Sequence, residues 1–104
     1  GDYLRVDNIT GSPDGVQIYR VDEAPNVTTA PGNMTQLFTS RYWGVKVIGG
    51  SSPTYTVTYY YNGNPDMGSF ENYQDLAKRS DNSASAWTEG DATLNTTAKT
   101  LVLT

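Results

Sequence analysis

Hydrophobic and polar residues alternate with period two along much of the chain, most clearly between Arg41 and Tyr61 (RYWGVKVIGGSSPTYTVTYYY). Successive side chains of a β-strand point to opposite faces, so the alternation predicts strands. In the first half Trp43, Val45 and Val47 share one face, and Tyr42, Gly44, Lys46 and Ile48 share the other. In the second half Tyr55, Val57, Tyr59 and Tyr61 oppose Thr54, Thr56, Thr58 and Tyr60. The connection Gly49-Gly50-Ser51-Ser52-Pro53 has turn chemistry. These features predict an antiparallel hairpin in which Val47 meets Tyr55, Val45 meets Val57 and Trp43 meets Tyr59. One face is core and the other is rich in Thr. A slip of one residue would put Trp43 in water. Val, Ile, Thr and Tyr dominate the stretch, which argues against a helix.

The same pattern predicts further short strands at residues 3–6, 16–21 and 34–40 (MTQLFTS), at 92–94 and at 99–104. Gly11-Ser12-Pro13-Asp14-Gly15 and Asn62-Gly63-Asn64-Pro65-Asp66 are turn signals between them. Residues 22–33 are broken by Pro25, Pro31 and Gly32. Between 69 and 80, Phe70, Tyr73, Leu76 and Ala77 have helical spacing; the alternative is a loop followed by a strand over 75–79. Residues 81–85 form a polar turn, and Trp87 is a second aromatic anchor. Seven or eight short strands at near-regular spacing indicate a single antiparallel β-sandwich domain spanning residues 1–104.

Composition narrows the function. The chain has 104 residues, a net charge of −4 and no basic patch, so nucleic-acid and anionic-membrane binding are disfavoured. It contains no cysteine and no histidine, which removes disulfides, thiolate chemistry, the commonest general base and the commonest zinc ligand. No apolar run approaches the roughly 20 residues that span a bilayer. The chain starts at Gly1 rather than Met, which suggests a processed or excised segment from which any signal peptide is already gone. Eight Tyr and two Trp supply much of the apolar area of the core.

The order of features, RYWGVKV, a turn, YTVTYYY, an acidic turn, DLAKRSDNSASAW and ATLNTTAKTLVLT, resembles β-sandwich modules of large secreted and surface proteins of Bacteroidetes-like bacteria. The resemblance covers roughly residues 36 to 104 and rests on spacing and on Trp43, Leu76, Arg79 and Trp87. It implies an exported, non-catalytic, immunoglobulin-like unit. In that family one more strand usually follows the equivalent of Leu101-Val102-Leu103.

Candidate chemistry is sparse. Without His or Cys, only Ser/Lys or carboxylate catalysis remains, and the carboxylates sit mostly in turn sequence. No catalytic residue and no cofactor is expected. Asn62, Asn64 and Asp66 have the alternating oxygen spacing of a calcium loop, but Met67 stands where such a loop needs Gly and no closing Glu follows. An ordinary turn is the stronger reading. Tyr42 and Tyr60, on the outer face of the expected hairpin, are candidates for stacking on sugar rings. The alternative is an aromatic pair. Asn8, Asn26, Asn33 and Asn95 begin Asn-X-Thr sequons in expected loops and are candidate N-glycosylation sites. If they are used, the source is archaeal or eukaryotic rather than bacterial. Strand-like sequence near both ends, including an apolar LVLT, invites pairing with another molecule. The expected role is therefore an extracellular structural module: a filament or surface-array subunit, or an adhesin spacer. Its expected partners are copies of itself or neighbouring domains of a larger surface protein. A carbohydrate-binding module is the alternative. The expected packing residues are Trp43, Val45, Val47, Tyr55, Val57, Tyr59, Leu76, Trp87 and Leu101.

Overall fold

Two long segments, residues 3–21 and 42–60, run antiparallel to one another in the computed structural model and carry most of the architecture. The structure describes residues 1–81 and 83–104, with the side chains of residues 69 and 70 excepted. Strand β1 (Tyr3–Asp7) pairs with β4 (Thr56–Tyr60), and β2 (Gly15–Val21) pairs with β3 (Tyr42–Ile48). The residue numbers of every pair add to 63 in both ladders. Both ladders are therefore two halves of one ribbon in a single register, interrupted by seven residues on each side.

The interruption is a corner. Thr10 donates its backbone N–H to Thr54 O (2.9 Å), Ser51 donates to Gly11 O (2.9 Å) and Asp14 donates to Ile48 O (2.8 Å). The bend brings backbone onto backbone. A Cβ on Gly11 (φ 81°) would lie 2.6 Å from Ser51 O, and one on Gly50 (φ 83°) would lie 2.8 Å from Gly11 O. Only glycine fits at both places, because the conformation is left-handed and the space is taken.

Past the corner the ribbon changes sheet. Strand β4 also pairs with β8 (Thr100–Leu103), and β8 pairs with β7 (Thr93–Asn95), giving a four-stranded antiparallel sheet ordered β1-β4-β8-β7. Strands β2 and β3 form a two-stranded sheet of their own. A third ribbon pairs β5 (Ala77–Lys78) with β6 (Thr88–Glu89). All pairings are antiparallel and no α-helix occurs among the described residues, so the chain is all-β with a sandwich-like arrangement.

The expected hairpin between residues 41–48 and 54–61 does not form. Strand β3 pairs with β2, and β4 pairs with β1 and β8. The assigned faces nevertheless hold. The Trp43 and Tyr59 rings lie 5.9 Å apart at 57°, meeting from different sheets rather than side by side in one ladder. Face parity is a local property of each strand and survives the wrong partner. Residues 34–40 likewise form no strand. Instead they are irregular backbone entering β3. Between 69 and 80 both alternatives occur in part: a 3-10 helix covers Gly68–Tyr73 and the short β5 follows. The expected contribution of the Phe70 side chain lies outside the described residues.

The fully buried apolar cluster is small, comprising Tyr59, Tyr61, Met67 and Leu101, with Leu4, Phe38, Trp43, Leu76, Ala92 and Leu94 packed against it. The accessible surface is 6507 Å² for 11.3 kDa. A compact monomer of that mass exposes about 5,700 Å², so roughly 800 Å² more than expected faces solvent. Ile18 shows where some of it lies. Its pairing with Val45 places it on the core-facing side of the two-stranded sheet, yet it is 41% exposed.

Candidate functional site

An open cleft of about 630 Å³ lies between the sheets. One wall is Arg41 with residues 42–45 of β3, and the other is residues 74–81 around β5. The floor is the inner face of the four-stranded sheet, including Leu4, Val57, Tyr59, Leu101 and Leu103. Leu37 and Phe38 from the irregular segment lie along it. Among the described residues β3 pairs only with β2, and β5 only with β6. The groove thus runs between two strand edges above an apolar floor.

A polar network closes one end. Asp2, whose side chain is 1% exposed, accepts a hydrogen bond from Arg41 (2.5 Å) and one from the Tyr59 hydroxyl (2.5 Å). Arg20 stands 3.5 Å from the same carboxylate, and its guanidinium lies 5.8 Å from the Trp43 ring centre. Asn64 donates to the Tyr59 hydroxyl oxygen at 2.8 Å. Burial, then the hydrogen bond to Asp2, pushes the Tyr59 phenol up to about 12. Arg41 Nε is a buried donor with no hydrogen bond, and Trp43 Nε1 reaches no acceptor except a weak approach to the Tyr59 hydroxyl.

The opposite wall is fastened by charge and aromatic contacts. The Arg79 guanidinium sits 4.4 Å from the Trp87 ring centre and donates to Asn26 Oδ1 at 2.7 Å. Trp87 donates its indole N–H to Val27 O at 2.8 Å, so this anchor tethers the 22–41 loop. Asp75, Glu89 and Asp91 bring three carboxylate oxygens within 4.8 Å of one another. Asp75 accepts the Leu76 and Ala92 amides (2.7 and 2.6 Å), and Glu89 accepts the Asn33 amide. Two of the three acids are therefore committed to holding loops. These residues are the ones that could meet a cation.

The sequence-predicted residues fall in several places. Tyr42 and Tyr60 belong to different sheets and do not make one platform. Tyr60 stacks on Tyr3 instead, with ring centres 4.4 Å apart at 13°. Tyr42 borders the groove. Asn64 and Asp66 spend oxygens within their own turn and on Ser40: Asn64 Oδ1 accepts the Asp66 amide (2.9 Å) and Asp66 accepts the Ser40 hydroxyl. Asn62 is exposed. Asn8, Asn26, Asn33 and Asn95 are all exposed. Asn95 Oδ1 also caps the turn before β8 by accepting the Thr97 and Ala98 amides, each at 3.0 Å. Neither the Asp2 network nor the Asp75–Glu89–Asp91 cluster left a signal in the sequence, since Asp2 is distant along the chain from Arg41 and Tyr59, and Asp75 from Glu89 and Asp91.

The chain matches no protein-family model, and no curated protein or solved structure matches it significantly. No helix among the described residues is long and apolar enough to cross a membrane.

Proposed function

We propose that this chain is a non-catalytic, immunoglobulin-like structural module of the cell surface that assembles by intermolecular strand pairing, as a filament or surface-array subunit. The observation that carries the reading is the groove. An isolated domain normally covers or blunts its strand edges, because unpaired N–H and C=O rows recruit other chains. Here two edges flank a half-open, largely apolar trough. A strand entering it would gain main-chain hydrogen bonds from an edge and burial from the floor, the mode known as β-augmentation. Export and a surface location accord with four exposed sequons.

Light scattering on the purified chain, with electron microscopy of the same sample, tests the reading. Concentration-dependent assemblies are expected. A monomer at every concentration, together with binding to a glycan array that Trp87→Ala abolishes, would favour the carbohydrate-binding alternative, since Tyr42, Tyr55 and Trp87 border the same groove.

A further inference from the structure

Residues 22–41 leave β2 after Val21 and return to β3 at Tyr42, two residues that are paired in the β2–β3 ladder. The twenty residues between them form neither helix nor strand. Unstructured loops of that length are uncommon in compact domains and commonly serve as lids or binding loops. This one lies along the groove. Pro25, Leu37 and Phe38 line it, and Phe38 packs against the buried cluster. Pro25 is buried, but Asp22 to Ala24, Asn26, Thr28, Thr29, Gly32, Asn33, Thr35, Gln36 and Thr39 are exposed.

Side chains rather than a strand ladder hold the segment down. The Trp87 indole N–H donates to Val27 O at 2.8 Å. The Arg79 guanidinium, 4.4 Å from the Trp87 ring centre, donates to Asn26 Oδ1 at 2.7 Å. Glu89 accepts the Asn33 amide. These three residues all belong to the β5–β6 ribbon or stand next to its strands. At the other end Ser40 donates to Asp66 and Arg41 donates to Asp2, which fixes the return into β3. The paired ends are thus held by the sheet, and the middle is clamped to the far wall. We infer that residues 22–39 are a lid over the apolar floor of the groove, latched by Trp87, Arg79 and Glu89, and that the lid opens as a unit while the four-stranded sheet stays folded. The inference concerns the single molecule and stands whether or not the chain assembles.

The contrast with the floor gives the reason. Strand β4 is bonded on both sides, to β1 and to β8, and carries the buried core residue Tyr59. The lid gives up a few side-chain bonds and little buried area when it lifts. Segments of that kind open at a lower free energy than the core strands. Trp87 is the centre of the latch, because it bonds one lid residue directly and carries the guanidinium that bonds another. Lifting the lid takes Leu37 and Phe38 off the floor and uncovers apolar surface.

Amide hydrogen exchange on dilute protein tests this, comparing wild type with Trp87→Phe and Asn26→Ala, together with binding of the dye anilinonaphthalene sulfonate. The reporters are the Asn33 amide, held by Glu89, and the Met34 amide, bonded to Pro31 O at 3.0 Å. In wild type they should exchange more slowly than in a free peptide but roughly a hundredfold faster than the β4 amides. Each variant should speed both reporters by roughly tenfold, leave the β4 amides unchanged and bind more dye. Asn26 is exposed, so Asn26→Ala carries the test if Trp87→Phe fails to fold. Reporters that exchange in step with β4, or as fast as a free peptide, would overturn the lid. Variants that leave the reporters unchanged, or speed β4 equally, would overturn the latch.

Discussion

The carboxylate of Asp2 carries more consequence than any other charge in the molecule. It is buried, and it joins Arg41, Arg20 and Tyr59 from three separate strands or loops. Removing one partner of such a group strands the others in a dry site. Asp2→Asn should therefore cost about 3 kcal/mol in denaturant melts; a loss under about 0.5 kcal/mol, the range of an ordinary surface change, would mean the network is solvated. Tyr59 gives the same network a pH signature. Its folded pKa is raised, so its contribution is complete below the ordinary tyrosine value near 10 and is lost as pH rises toward 12. Thermal stability should fall across that window, and Tyr59→Phe should flatten the fall. Tyr61 differs, because its buried hydroxyl makes no well-formed hydrogen bond; burial first, and then the nearby Glu71 carboxylate, push its phenol up. Tyr61→Phe should be neutral or stabilising by about 1 kcal/mol, whereas a clear loss would reveal a partner for the hydroxyl. Leu101, 1% exposed and paired with Tyr59 across the β4–β8 ladder, should lose about 3 kcal/mol as Ala. Trp43→Ala should fall near the lower end of the 3–5 kcal/mol range, because the ring is only half-buried.

Among the elements, the bent ribbon explains both what the sequence reveals and what it conceals. Which side chains share a face is written locally, and Trp43, Val45, Val57 and Tyr59 could be assigned from alternation alone. Strand partners are not local. Gly49 to Pro53 has the composition of a hairpin turn, but Gly11 to Gly15 has it too, and only their close approach makes a corner of both. The strand expected at residues 34–40 fails for want of a paired neighbour, since β-propensity reflects context more than backbone preference. The site was still less legible. Asp2 and Arg41, or Asp75 and Glu89, meet only after the sheets form. The corner can be tested directly. Gly11→Ala should destabilise by about 2 kcal/mol or more, since it combines a left-handed φ with backbone overlap. Gly15→Ala, whose Cβ would meet only Ile48 Cδ1 at 3.9 Å, should stay within about 0.5 kcal/mol in the same melts. Equal effects at the two positions would argue against a tight bend.

For the whole molecule, the central feature is an interior left open along one side. Its radius of gyration of 13.8 Å exceeds the roughly 12.8 Å of a compact chain this long, in step with the extra surface. Such a trough is a liability to a lone domain and an asset to a subunit. Amide hydrogen exchange along β3 reads this most directly, compared between dilute monomer and concentrated, assembled protein. The β3 amides that point away from β2 should exchange freely in the monomer and become protected on assembly. Protection already complete in the monomer, or free exchange persisting in the assemblies, would contradict a groove that waits for a strand.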